Sequence, residues 1–454
     1  MTRTTAYPPR PGQICGRPTA SRLRSVADYA LVLLSALVLL YGAFGRRTAA
    51  WNLSAPMLAV LAGVIVFGVA PHVDIDNGAV HLLAEVVLVL VLFHDAATVR
   101  LADLAHDYRL PLRLLVIGFP VAIALTTGAT WVLMPALGLW GALLLAASIT
   151  PTDAGLGAPT VLNPVVPGRV RRALNVESGL NDGLATPIVL IALAQLDPNP
   201  VPGSEESVFA VGVVPVAIAA AVAISVGLLA GRLMHWSSAR GWSDREGRQV
   251  MMLMAPLLVM GLATVTGGNV FIAAFVGGLV FGGASGGEAV SGGTSTLLQT
   301  IADLLSLGVW FIAGGLILDV FAVGVRWQWI VAAILAITVL RMLPVALALS
   351  GTGLKAPTVG FIGWFGPRGL ASVIFALLAL EELGPEAGVI PDVVGTIAVT
   401  VGLSVFAHGF SAGPLAARYG AWAARVQPPA ADDITELPVT RGRLVTSREP
   451  RSRT

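Results

Sequence analysis

Three short stretches of this chain place ionisable side chains where they could bind and release an ion. The first, SITPTDAGLGAP, holds Thr152 and Asp153, and the second, NVESGLNDG, holds Glu177, Ser178, Asn181 and Asp182. The third, GWFGPRGLAS, sets Arg368 between Pro367 and Gly369. All three interrupt strongly apolar sequence, where a charge is costly and is kept mainly where it lines a pathway. On a helix, residues four apart share a face, so Ser178 stands with Asp182 and Glu177 with Asn181. The first face offers a carboxylate and a hydroxyl, which are hard ligands for a small cation, while the second suits a structural contact. Asp153 adds another carboxylate, and opened backbone from Thr150 to Thr152 adds carbonyl oxygens. Such a set fits a hard cation and has no soft ligand for copper or zinc. Proton and cation compete for the same oxygens. That competition is enough for an antiporter, whose site crosses neutral or loaded but never empty and charged. A buried guanidinium needs an anionic partner, so Arg368 is expected to pair with Glu177, leaving Asp182 to titrate; Asp153 is the alternative partner.

The elements that must position these groups are membrane helices. Of 454 residues, 56% are hydrophobic and only 12% charged, against about 25% charged in soluble domains. The mean hydropathy is +0.81. The fold class expected is an all-α polytopic membrane protein. A net charge of +2 gives no basis for nucleic acid, and the single Cys15 excludes a disulfide framework or a cysteine-rich metal site. About thirteen apolar segments of spanning length follow one another, from 28–45 to 388–411. Residues 1–27 read as a disordered N-terminal tail, residues 28–412 as the transmembrane domain and 413–454 as a short cytoplasmic tail. The tail with its arginines, followed by an apolar run, also has the outline of a signal peptide.

Loop charges orient the segments. Odd-numbered loops carry Arg46 and Arg47, Arg100 and Arg109, Arg169, Arg171 and Arg172, then Arg232, Arg240, Arg245 and Arg248, and Lys355. Even-numbered loops carry Asp74, Asp76, Asp197, Glu205, Glu206, Glu381, Glu382 and Glu386, with Arg326 their one clear cation. The odd loops and the C-terminus therefore face the cytoplasm, and an odd number of helices puts the N-terminus outside. The N-terminal arginines run against this rule. The expected location is the plasma membrane, with lipid as a partner.

Two segments contain breaks. Pro151, Gly155 and Gly157 interrupt the fifth (138–162), and Gly366, Pro367 and Gly369 interrupt the twelfth (357–381). These lie seven segments apart, so the chain divides into two inverted six-helix repeats joined by the seventh segment, with helices 5 and 12 broken at corresponding points. Paired breaks in inverted halves mark the binding site of a secondary transporter. Proline and glycine kinks are common in membrane helices, but kinks alone leave the charge at each break unexplained.

Together, PTDAG, ESGLNDG and GWFGPRGLAS resemble the motifs of the cation:proton antiporter-1 family of Na+/H+ exchangers, across most of the membrane region. The resemblance implies that Asp182 carries the ion and proton, with Thr152 and Asp153 as supporting ligands and Glu177–Arg368 as the family's structural pair. It also implies a homodimer of thirteen helices. The family's usual TDP reads TDA here, with the proline displaced to Pro151. Asn at position 181, rather than a second Asp, implies electroneutral exchange of one cation for one proton. The ions are Na+, or K+ or Li+, and H+; no cofactor is implied.

Glu85 is a candidate ligand because some prokaryotic members use a glutamate on this helix; alternatively it is an interfacial carboxylate. His94 and Asp95 read as interfacial, and Asp303 and Arg341 either pair or line a cavity. Other readings are a K+/H+ antiporter of the same family, an ion channel, and an intramembrane aspartyl protease. The protease lacks its GxGD-type motif, and opposed half-helices suit alternating access better than a pore.

Overall fold

A computed structural model describes residues 32–426 except 34, 46, 49–50, 70–76, 100–108, 154, 157–162, 164, 198–207 and 292. The expected tails, residues 1–27 and the chain beyond 426, lie outside the described residues. No strand occurs among those described. The helices are α1 (Ser35–Gly45), α2 (Ala55–Val69), α3 (Asn77–Ala97), α4 (Arg109–Leu133) and α5 (Gly138–Ile149). There follow α6 (Gly168–Leu196), α7 (Val208–Ala239), α8 (Arg245–Thr266), α9 (Val270–Ala284) and α10 (Thr296–Val323). The last three are α11 (Trp327–Ala348), α12 in two pieces (α12a, Ala356–Trp364; α12b, Leu370–Leu383) and α13 (Ile390–Val426). Eight helices among the described residues are long and apolar enough to cross a membrane, so this is a multi-pass membrane protein.

Local sequence explains the irregularities. In α4 the turn Leu114–Gly118 is a π-bulge immediately before Phe119 and Pro120, which relieves the clash of the proline ring with the preceding turn. Helix α5 stops at Ile149 because Pro151 cannot donate a backbone bond; Gly155 and Leu156 are helical again. Asp244 caps α8 by accepting from Gly247 N at 2.8 Å, and Asn269 caps α9 by accepting from Phe271 N and Ile272 N. Between them Gly267 takes the left-handed conformation that ends α8.

Helix α11 has an interruption that the sequence reading does not anticipate, at Thr338 (φ −117°, ψ −97°). The Thr338 hydroxyl donates to the Ile334 carbonyl at 2.5 Å, a back-bond that bends helices. Helix α13 runs to Val426, beyond the boundary expected at residue 412. The segment after Pro414 keeps an apolar face, with Tyr419 stacked on Phe361 of α12a and Trp422 stacked on Tyr419.

The helices pack as two bundles. Helices α2, α3 and α7–α10 form one, with α7 and α3 on α9 and α2 on α10. Helices α4–α6 and α11–α13 form the other, with α5 on α6 and α4, and α11 and α12b on α13. Helix α3 reaches from the first bundle to α6 and α12b of the second. Large apolar side chains such as Val69, Leu229 and Val323 are exposed, while the second bundle buries Asp153, Glu177, Asp182, Arg341 and Arg368. Apolar outside and polar inside is the arrangement lipid favours, because the bilayer core offers no hydrogen bonds to exposed polar groups.

Candidate ion-binding site

The two breaks meet. Asp153 N–H donates to the Pro367 carbonyl at 2.8 Å, and Leu370 N–H, the first of α12b, donates to Asp153 Oδ2 at 2.9 Å. Asp153 Oδ1 accepts from Gly155 N at 2.6 Å and Leu156 N at 3.4 Å. One carboxylate therefore satisfies backbone donors on both sides of the crossing, at Gly155 and Leu156 after the α5 break and at the start of α12b, whose dipole places positive charge there. Gly369 is required by this approach: a Cβ on it would collide with the Asp153 side chain.

Arg368 does the opposite job. Its guanidinium donates to the Thr150 carbonyl, where α5 ends, to the Pro151 carbonyl at 3.4 Å and to the Ala336 carbonyl at 2.7 Å. Ala336 lies two residues before the interruption of α11. The buried guanidinium thus ties together three helices at the carbonyls of their irregular turns. Fully buried, it is held by backbone oxygens where dipoles place partial negative charge.

The expected Glu177–Arg368 pair is therefore corrected. Glu177 of α6 pairs with Arg341 of α11, through Nη1–Oε1 and through Nη2–Oε2 at 2.8 Å. Both side chains are buried, and the two parallel bonds match guanidinium to carboxylate. Gly366 makes room for Arg341, because a Cβ there would meet the guanidinium. The physical reason for the exchange of partners is that the opened carbonyls satisfy Arg368, leaving the acid to the second buried arginine.

Helix α6 presents its polar face to the α5 break. Ser178 Oγ donates to the Thr152 carbonyl at 2.5 Å, and Asn181 Nδ2 donates to Thr152 Oγ1 at 2.8 Å. Asp182 follows one turn after Ser178 and is 5% exposed; Thr186 Oγ1 donates to its carbonyl. The structure thus brings Thr152, Ser178 and Asn181 into direct contact and sets Asp182 on the same stretch of helix.

Glu85 lies apart from these residues. Its carboxylate faces His81 at 3.6 Å, and His81 pairs with Glu381 at the end of α12b. The α3 carboxylate that reaches α6 is Asp95, which packs against Gly179 and bonds His94 Nδ1 at 3.1 Å. Ten residues separate Glu85 from Asp95, about 15 Å along a helix, so Glu85 sits well away from the level of Ser178 and Asp182.

Two functional candidates escaped the sequence reading, Ser404 and His408 of α13. Ser404 Oγ accepts from Arg368 N at 2.6 Å, and His408 Nε2 lies 3.0 Å from the Trp364 carbonyl. The signal that could have found them is polar residues at helical spacing (Thr396, Thr400, Ser404, His408, Ser411) in an otherwise apolar segment.

Comparison with known proteins gives the same family as the motifs. The chain is 27% identical over 321 residues to a probable Na+/H+ antiporter of Schizosaccharomyces pombe, covering 66% of this chain and 41% of that protein. It is 26% identical over 318 residues to a second Na+/H+ antiporter of that yeast, covering 67% of each. The chain thus spans less than half the length of the first relative. Among solved structures it is similar to the sodium proton antiporter MjNhaP1 of Methanocaldococcus jannaschii at pH 8. That match has a TM-score of 0.66 and 20% identity, and covers 88% of this chain and 99% of the other. Residues 31–418 match the family model described as the transmembrane sodium/hydrogen exchanger. The chain belongs to the sodium/hydrogen exchanger family, a family of membrane transporters and not of enzymes.

Proposed function

We propose that this protein exchanges Na+ for H+ by alternating access, one for one and without net charge movement. Asp182 is the carrier: it crosses with a cation or with a proton. Ser178, Thr152 and Asn181 shape the oxygen-lined side of the site beside it, and Asp153 and Arg368 hold the two breaks in register. The observation that carries this reading is the crossing of the two broken helices at Asp153, opposite the α6 face that bears Asp182. Opposed half-helices near the middle of a transporter are where coupling ions bind. The yeast relatives are named as Na+/H+ antiporters, which favours Na+ over K+.

The packing is consistent with two inverted halves of six helices about α7. Exchanging each helix for the one seven positions away turns the α3–α9 contact into α10–α2, and these are among the most extensive in the first bundle. The proposal includes thirteen spans, an outer N-terminus and a cytoplasmic C-terminus, for which the alternating loop charges are the support, together with a plasma-membrane location and the homodimer that the family resemblance implies.

The test is dequenching of a pH dye in proteoliposomes, run with Na+, Li+ and K+ in turn and with the membrane potential clamped. Na+ and Li+ should drive proton movement at rates independent of the clamp. Preference for K+ would reassign the cation, and a rate that follows the clamp would overturn electroneutrality. Lowering the pH on the cation side should raise the apparent KM for Na+, because both ligands need the same carboxylate.

A further inference from the structure

Ser404, His408 and Ser411 stand on one face of α13 at i, i+4 and i+7, and all three engage the α12 break. Arg368 N–H donates to Ser404 Oγ at 2.6 Å, and His408 Nε2 lies 3.0 Å from the Trp364 carbonyl. Trp364 Nε1 donates to Ser411 Oγ at 3.0 Å, and its indole lies tilted against the imidazole. Trp364 is the last residue of α12a, so its carbonyl is among those a helix end leaves without an internal partner.

To serve that carbonyl, Nε2 must carry the imidazole hydrogen. Nδ1 then accepts, and Ser404 Oγ stands 3.2 Å away. The Ser404 carbonyl is also near Nδ1, at 3.0 Å. With the hydrogen on Nε2, His408 donates to the Trp364 carbonyl and Nδ1 accepts from Ser404 Oγ, which itself accepts from Arg368 N–H; the other tautomer would donate to the Ser404 carbonyl instead. One imidazole thereby spans the non-helical residues 365–369 and fixes both ends of the gap. Within that gap, Pro367 and the following Leu370 hold Asp153.

We propose that His408 is a positioning residue for exchange. It sets the width of the α12 break and, through it, the junction of Asp153 with Arg368 against which Thr152 and the α6 face are placed. This inference rests on the exchange reading above. His408 does not touch the ion. Without it the break relaxes among several arrangements, and only a fraction of molecules presents the oxygens correctly. Apparent affinity falls by that fraction, whereas a site once loaded crosses at nearly its usual rate.

The experiment is a Na+ titration of proton movement in proteoliposomes with His408→Leu, His408→Gln and Ser404→Ala, each checked for folding by gel filtration. His408→Leu should raise the apparent KM for Na+ about tenfold, the worth of one buried hydrogen bond, with the saturating rate within about threefold of the parent. His408→Gln, whose amide N–H reaches the Trp364 carbonyl, should restore KM to within about threefold. A folded His408→Leu with the parental KM overturns the proposal, as does a Gln variant as impaired as Leu, or a fall in rate at unchanged KM. If His408→Leu does not fold, Ser404→Ala decides: a KM raised severalfold supports the relay, and an unchanged KM overturns it. Asp182→Asn in the same vesicles separates the two claims. If it still exchanges, the function reading fails; if it is inert while His408→Leu behaves as the parent, only the positioning role fails.

Discussion

The α5 and α12 breaks solve one problem in two ways. Each opens a helix inside the membrane and leaves backbone donors and acceptors that must be satisfied within the protein. At α5 the break is held by the α12 residue Arg368, which takes its carbonyls, and by α6, which reaches Thr152 through a hydroxyl and an amide. At α12 the backbone is held by Asp153 on one side and by the Ser404–His408 face on the other. The difference is one of charge. The α13 face lacks a carboxylate and closes the gap with neutral groups, whereas the α6 face carries Asp182. The two breaks share Asp153, but only the α5 break also faces the helix that carries Asp182. On the exchange reading proposed above, the cation belongs on the α5–α6 side, with the α12 side as its frame.

This contrast can be broken at several points. The largest effect should come from the buried pair that joins α6 to α11. Replacing Glu177 by Gln, or Arg341 by Met, leaves one buried charge without its partner and should cost about 3–5 kcal/mol of stability. Thermal unfolding in detergent is the readout, and the double variant should recover much of the loss. Single variants as stable as the parent would show that the pair is not what anchors α6. Next is Arg368→Met, which takes the donors from the Thr150 and Ala336 carbonyls and should cost about 2–4 kcal/mol in total. Arg368→Lys should retain part of the stability but not the geometry, because an ammonium cannot reproduce the fork.

A finer effect is expected at Gly369. Its φ of −138° is not one reserved for glycine, and the nearest obstacle to a Cβ is the Asp153 side chain. Gly369→Ala should raise the KM for Na+, while Gly360→Ala, with open space around its Cβ, should change neither transport nor stability by more than about 1 kcal/mol. Equal effects at the two glycines would argue against a close-packed junction. The smallest change should be Ser178→Ala, the loss of one hydrogen bond worth about 1 kcal/mol and so a severalfold rise in KM.

Much of the frame was legible in the sequence because proline and glycine inside apolar runs have only a few physical meanings. Pro151 and Pro367 locate the two breaks, and the four-residue spacing of α6 gives a face on which Ser178 and Asp182 stand together. What linear order could not supply was the choice between two buried arginines. Arg341 and Arg368 lie on neighbouring segments, and nothing in the pattern says that opened carbonyls can satisfy one of them and leave Glu177 to the other. Depth along a helix was equally hidden: Glu85 and Asp95 are both acids on α3, and only packing against Gly179 shows which reaches α6. The α11 interruption depends on a single threonine back-bond, too local a feature to stand out within a 22-residue apolar helix. Ser404 and His408 were spaced legibly, but a neutral polar stripe attracts less notice than a charge.

The most direct test of the division of labour is Na+-driven proton movement by Asp182→Asn in proteoliposomes. The variant should be folded and should show no exchange at any Na+ concentration, because an amide can neither titrate nor neutralise the cation. Exchange at the parental rate would place the carrier elsewhere and contradict the account.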